Sequence, residues 1–246
     1  WPAEALSRGE CAGFVLAFGL ALVAPWWAAA GEAGHGDDAT SRHSFEDVEH
    51  WGAVFDDPAR DVWQKPDEVV GALGLRAGMT VVDLGAGTGY FSRRLATAVG
   101  AGGTVLSVDP EPKMVVRLRE RAEAERTPNV VPILGSLDNP RLPAAGCDLV
   151  LVVDTYHHID DRLAYFRRLR RALRRGGRVA IIDWQQGALP VGPPPEHKLA
   201  RERVVEEMTA AGYRLAAEPH LLPYQYFLVF AVAAPPPVDT SPRNAP

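Results

Sequence analysis

Apolar positions along this chain follow two periods, and the switches between them mark out its elements. Thr80, Val81, Val82 and Leu84 form a β-branched, apolar run that suits a strand packed on both faces of a parallel sheet. The spacing then becomes helical. Tyr90, Phe91, Leu95 and Val99 share one face, so a helix is expected over residues 90–99. The alternation repeats downstream. Strands are expected at 104–109, 130–134, 148–153 and 178–184, with helices at 113–126, 163–175 and 196–211. In the helix at 163–175, Leu163, Phe166, Leu169 and Leu173 make the apolar stripe and Gly176-Gly177 the stop. Residues 213–222 and 224–232 read as two final strands. Strands alternating with helices specify an α/β fold around a mostly parallel sheet.

The segment before the first strand is short and aromatic: Phe45, Trp51, Phe55 and Trp63, interrupted by Pro58 and Pro66. Pro66 fits the first turn of a helix that runs to Leu73 and stops at Gly74. Further upstream, residues 12–30 carry no charge and close on Ala28-Ala29-Ala30, an A-x-A cleavage pattern. The strongly apolar part is short for a membrane span and is interrupted at Pro25. Residues 1–30 are therefore expected to be a signal peptide or a membrane anchor. A flexible polar linker over 31–42, a folded domain with an N-terminal cap over 43–234 and a disordered tail over 235–246 follow. A signal peptide implies an exported, periplasmic domain. An anchor implies membrane association with the domain facing the cytoplasm.

Composition adds exclusions. The 246 residues are ample for one domain with a sizeable core. A net charge of -5 argues against a nucleic-acid partner, and the arginine-rich helix at 163–175 reads as a solvated face. Cys11 and Cys147 suggest neither a disulfide framework nor a zinc site. His35, Asp37, Asp38, His43 and His50 lack metal-binding spacing, so no metal is expected.

The candidate chemistry sits between the first strand and the first helix. Gly85, Gly87 and Gly89, with Ala86 between them, make a turn that offers backbone N–H groups to a nucleotide-like ligand. Their spacing departs from the dinucleotide pattern G-x-G-x-x-G. Asp83 ends the strand, where it would repel a pyrophosphate and attract a cation. Asp109 ends the second strand, placed to accept hydrogen bonds from ribose hydroxyls. S-adenosylmethionine (SAM) fits this pattern, because it carries an ammonium, a sulfonium and no phosphate.

The stretches VVDLGAGTGYFS, VLSVDP and CDLVLVVDTYHHID resemble the class I, Rossmann-like SAM-dependent methyltransferases, in particular the group containing ubiquinone- and menaquinone-type enzymes. The resemblance spans about residues 51–233. It implies a seven-stranded, mostly parallel sheet with helices on both faces and an antiparallel last strand. It also implies SAM bound by Asp83, Gly85, Ala86, Gly87, Gly89, Tyr90, Asp109 and Asp154, with Leu137 and Asp138 flanking the adenine. The family's usual acid directly after the glycine of that last loop is Ser136 here. N-terminal elements of the family cap the cleft, which makes Trp51, Trp63 and Gln64 candidates for a lid.

Methyl transfer demands mainly alignment, plus a base when the acceptor is a hydroxyl or a protonated amine. His157 and His158, at the tip of the fourth strand, are the candidate bases, and Tyr156 is a candidate for orienting the acceptor. The expected partner is a small-molecule methyl acceptor. Two rival readings are a non-catalytic exported binding module and a nicotinamide-dependent oxidoreductase. The second is disfavoured by Asp83 and by the glycine spacing.

Overall fold

The computed structural model describes residues 45, 47–136 and 138–233. The expected segments at 1–30, 31–42 and 235–246 lie outside the described residues, as does Leu137. Among the described residues no helix is long and apolar enough to cross a membrane.

Three short helices come first: α1 (Val48–Phe55), α2 (Arg60–Gln64) and α3 (Pro66–Ala72). The alternating part follows as β1 (Thr80–Leu84), α4 (Ser92–Val99), β2 (Thr104–Asp109), α5 (Pro112–Ala124), β3 (Val130–Leu134), β4 (Cys147–Val153), α6 (Arg162–Leu169), β5 (Leu173–Trp184), α7 (Arg201–Ala210), β6 (Tyr213–Ala217) and β7 (Gln225–Val232). The seven strands order as β3-β2-β1-β4-β5-β7-β6. All neighbouring pairs are parallel except β5–β7 and β6–β7, so β7 is the antiparallel strand of the sheet. This is the expected Rossmann-like architecture. The order reverses between β1 and β4, and in sheets of this kind ligands bind in the crevice at the carboxyl ends of the strands at such a point.

Alternate residues of each central strand feed two cores. Val82, Val150, Val152, Val179 and Ile181 pack with Phe166, Leu169, Val204 and Met208 from α6 and α7. Val81, Val105, Leu149, Leu151 and Ile182 pack with Val69, Leu73, Leu95 and Val99 from α3 and α4. Burial on both faces is why these strands are apolar throughout.

Several boundaries differ from the sequence reading, and the strand expected at 213–222 ends at Ala217. The helix expected at 90–99 begins at Ser92, because Gly89 and Tyr90 still belong to the turn. The helix expected at 163–175 ends at Leu169, and Arg170–Ala172 forms one 3-10 turn before β5 starts at Leu173. Leu173 fits the helical stripe, but it pairs with Cys147 and reaches the same core as a strand residue. Gly176-Gly177 thus lies within an irregular stretch of β5, where Gly176 takes φ +81 and the register to β4 shifts. The helix expected at 196–211 begins at Arg201, after a 3-10 turn at Pro195–His197.

Phe166 is fully buried between α6 and the sheet. Phe166→Ala should therefore lower unfolding free energy by about 3–5 kcal/mol, read from chemical denaturation of the two proteins.

Candidate active site

The turn after β1 is tied to the second strand by backbone. The N–H groups of Gly85 and Ala86 both donate to the Val108 carbonyl, at 2.8 and 3.0 Å. The Gly87 N–H donates to Asp109 Oδ2 at 2.8 Å, and the Glu111 N–H to Asp109 Oδ1 at 2.9 Å. Each Asp109 oxygen keeps a second lone pair for another donor. Burial pushes the Asp109 carboxyl up to about 6, against the pull of those two backbone donors.

Gly85, Gly87 and Gly89 have φ of +76, +53 and +85, a region where side chains are strained. A Cβ on Gly85 would overlap the Thr155 side chain, and one on Gly89 would lie 2.9 Å from Leu118 Cδ2. At Gly87 the nearest atoms to such a Cβ are those of the Phe55 ring, at 3.2 Å. Phe55 belongs to the N-terminal cap, which therefore lies over the turn at Gly87.

Asp83 is buried beneath the turn. Ser92 Oγ donates to its Oδ2 at 2.6 Å, and Ser107 Oγ donates to Ser92 Oγ at 2.8 Å. Burial raises the Asp83 carboxyl to about 6, opposed by Ser92 and by the charge of Arg60. Asp154 ends the fourth strand with φ +52, unusual for a residue with a side chain. Gln225 Nε2 donates to its Oδ1, and Arg60 Nη2 lies 3.3 Å from its Oδ2. Burial raises Asp154 to about 7, with Arg60 pulling the other way.

The cap closes on this crevice through α1 and α2. Thr88 Oγ1 donates to Asp56 at 3.0 Å, and Arg121 holds Asp56 and the Thr88 carbonyl together. The Tyr90 hydroxyl donates to Asp61. The Arg60 guanidinium lies 4.2 Å from the centre of the Tyr90 ring. Gln64, fully buried, accepts from Arg60 and donates to Gln225 Oε1 at 2.7 Å. Trp63 packs on Trp184 with ring centres 5.1 Å apart.

Above Gly87 the cap forms an aromatic wall. Phe45 lies 5.0 Å from Trp51 and 5.6 Å from His158, ring centre to ring centre, and Trp51 stacks on Phe55 at 5.7 Å. The His158 ring is 4.1 Å from that of His157. His157 is buried, with Nδ1 2.8 and 2.9 Å from the two oxygens of Asp183. Burial alone would lower the His157 pKa, but the Asp183 carboxylate outweighs it and the pKa lies above the ordinary value. Asp183 is fully buried at the tip of β5 and also accepts the Trp184 N–H at 2.8 Å.

The structure thus gathers Asp83, Gly85, Ala86, Gly87, Gly89, Tyr90, Asp109, Asp154, His157 and His158 at one end of the sheet. Two other candidates are placed elsewhere. Tyr156 is fully buried, donates to Glu207 Oε2 at 2.9 Å and packs on Phe166, so its hydroxyl serves the α6–α7 core. Asp138 is exposed and accepts from Ser136 Oγ at 2.7 Å, which holds its carboxyl below the ordinary value. The sequence reading missed Arg60 and Asp183. Asp183 ends a strand just as Asp83, Asp109 and Asp154 do, so the same reasoning finds it. Nothing local to Arg60 signals its position. A cavity of about 420 Å³ lies behind Gln225, bordered also by Gln185, Arg201, Glu218 and His220.

Comparison with known proteins adds kinship to this geometry. Residues 81–177 match the family described as "Methyltransferase domain". The chain is 34% identical over 137 residues to a 27-O-demethylrifamycin SV methyltransferase of Amycolatopsis mediterranei, covering 55% of this chain and 50% of that one. It is 23% identical over 145 residues to a demethylmenaquinone methyltransferase of Lactococcus lactis subsp. lactis, covering 59% and 57%. The chain thus spans about half the length of these curated relatives. A SAM dependent methyltransferase from Aquifex aeolicus superposes with a TM-score of 0.73 at 26% identity, over 78% of this chain and all of that one.

Gly85→Ala places a methyl group against Thr155 on a backbone already at positive φ. The variant should remain folded by circular dichroism, yet lose measurable binding of S-adenosylhomocysteine in calorimetry.

Proposed function

We propose that the chain is a class I, Rossmann-like SAM-dependent methyltransferase that transfers a methyl group from SAM to a small-molecule acceptor. The observation that carries this reading is the glycine turn tied to the Asp109 carboxylate, with two further acids, Asp83 and Asp154, around the same crevice. Three acids around one glycine turn suit a ribose and a sulfonium, and would repel a pyrophosphate. In this reading Asp109 holds the ribose hydroxyls, and Asp83 and Asp154 supply negative charge opposite the cationic end.

Bound there, the cofactor supplies an electrophilic methyl group and a neutral thioether leaving group. The protein's own part is orientation and exclusion of water, which contribute up to ~7–11 kcal/mol in favourable cases. Phe45, Trp51, Phe55 and His158 form the wall against which a flat, partly apolar acceptor packs. The relatives named for demethylmenaquinone and 27-O-demethylrifamycin SV support an acceptor of that shape. A hydroxyl acceptor gives its proton to the His157–His158 pair, whose inner member is oriented by Asp183.

The direct test is incubation of the purified chain with SAM and a panel of hydroquinones and phenols, following S-adenosylhomocysteine. Calorimetry should also show binding of SAM and none of NAD. Tight NAD binding without SAM binding would make the protein an oxidoreductase instead.

Two further outcomes follow from the acids. Asp109→Ala should weaken SAM binding by about 1–3 kcal/mol, the loss of charge-assisted hydrogen bonds to ribose. SAM affinity of the wild type should fall as pH drops from about 8 to about 5. Asp154, at about 7, and Asp83 and Asp109, at about 6, take up protons over that range and cease to attract a cation. Calorimetric titrations across the range read this directly, and a flat profile would place the acids outside the binding site.

A further inference from the structure

Arg162 is the first residue of α6 and is 1% exposed, a guanidinium taken out of water. Its fork meets Glu207 of α7: Nε donates to Oε2 at 2.7 Å and Nη2 to Oε1 at 3.0 Å. Nη1 donates back to the Ile159 carbonyl at 3.2 Å. The Tyr156 hydroxyl donates to the same Glu207 Oε2 at 2.9 Å, and the Arg162 guanidinium lies 5.6 Å from the centre of the Tyr156 ring. Arg203, one turn earlier on α7, donates to Oε1 from the exposed side. One carboxylate of α7 thus grips both ends of the short segment 156–162.

That segment carries His157 and His158. It is flanked by two residues with left-handed backbone, Asp154 at φ +52 and Asp161 at φ +23. Residues with a Cβ occupy that region at a cost and keep it only where their surroundings fix them. Burying a charge pair is costly too, and two apolar side chains of similar volume often fill such a space at no loss of stability. What the pair adds is direction. Its hydrogen bonds run to particular atoms of one turn, whereas apolar burial has no direction. From the opposite side, Asp183 accepts the His157 backbone N–H at 3.3 Å and meets ring Nδ1 at 2.8 Å. A carboxylate only accepts, so Nδ1 carries the proton in that bond. The turn is therefore fixed between β5 and α7.

We propose that Glu207 is a positioning residue of the active site: through Arg162 and Tyr156 it fixes the turn that sets His157 against Asp183 and His158 against the aromatic wall. This rests on reading the two histidines as the base for the acceptor. Glu207 lies behind the turn and acts only through its partners. The same clamp balances charge. His157 faces Asp183 from β5, Asp154 from the end of β4, Arg162 from α6 and His197 from the turn before α7. Asp183 and Asp154 favour its protonated ring, and Arg162 opposes it. Glu207 neutralises Arg162 through two hydrogen bonds. Without that negative charge the Arg162 cation disfavours the imidazolium more strongly, and the His157 pKa falls.

Ring-nitrogen NMR of the full chain reads the turn directly, with His157 assigned by the signal lost in His157→Gln. In the wild type the Nδ1 proton should exchange slowly and lie downfield, held by the Asp183 carboxylate. Glu207→Gln keeps the shape and removes the charge. It should lower the His157 titration midpoint and speed exchange of that proton. The triple variant Tyr156→Phe/Arg162→Met/Glu207→Leu replaces the clamp by apolar side chains. It should unfold at the same or a higher denaturant concentration than the wild type, yet lose the slow Nδ1 proton. Both variants should bind S-adenosylhomocysteine as the wild type does. With any phenol or hydroquinone that the wild type methylates, their kcat should fall roughly ten- to hundredfold at an unchanged KM for SAM. A wild-type His157 spectrum in Glu207→Gln, or in the folded triple variant, would overturn the proposal and reduce the clamp to a support of α6 and α7. If the triple variant does not fold, Glu207→Gln alone decides. Weaker S-adenosylhomocysteine binding in Glu207→Gln would also overturn it, because the clamp would then hold the whole crevice. His157→Gln methylating at the wild-type rate would instead end the base reading, and the proposal with it, whatever the spectra show.

Discussion

The Val108 carbonyl accepts two backbone N–H groups at once, from Gly85 and Ala86, and the next residue of that strand accepts a third from Gly87. Three successive donors of one turn are thereby fixed to the tip of the neighbouring strand. A chain can make that approach only with left-handed backbone, and Gly85, Gly87 and Gly89 supply it. The order of the sheet brings the tips of β1, β2 and β4 side by side. Asp83, Asp109 and Asp154 follow from that adjacency, and each is pushed upward by burial. The acids are costly to ionise without a ligand, which makes the crevice receptive to positive charge.

The cap answers that charge from the other side. Arg60 lowers the cost of ionising both Asp83 and Asp154. Its own desolvation is offset by Tyr90, Gln64 and the Phe55 carbonyl. Each of these partners comes from a helix or turn that precedes β1 or follows it directly. The fourth strand reaches the same network through Gln225, the first residue of β7. One polar cluster thus joins the cap, the glycine turn and the antiparallel strand.

Much of this was legible in the sequence for a simple reason. Strands buried on both faces carry unbroken apolar runs, so β1 and β2 fell where the pattern put them. Reading failed where one residue satisfied two patterns. Leu173 continues a helical stripe, and Gly176-Gly177 resembles a helix stop, yet pairing with Cys147 makes this stretch a strand. Side-chain placement was legible where a strand end fixes direction, as at Asp83 and Asp109. They were illegible where a partner lies far along the chain. Arg60 and Asp154 are 94 positions apart, and no local pattern encodes that contact. Tyr156 illustrates the converse: its position beside two histidines suggested chemistry, while its hydroxyl belongs to Glu207.

The aromatic wall of Phe45, Trp51 and Phe55 has a genealogical consequence. The family match begins at residue 81, after the whole cap. The strand tips that face the proposed cofactor lie inside the matched stretch, and most of the wall that faces the proposed acceptor lies outside it. Descent can therefore preserve the donor of the methyl group while the short helices upstream are rewritten around a new recipient. Kinship measured on residues 81–177 reports which reagent is used. On the proposed reading, recognition of what receives the methyl group would rest largely on Phe45, Trp51 and Phe55, which lie outside that stretch.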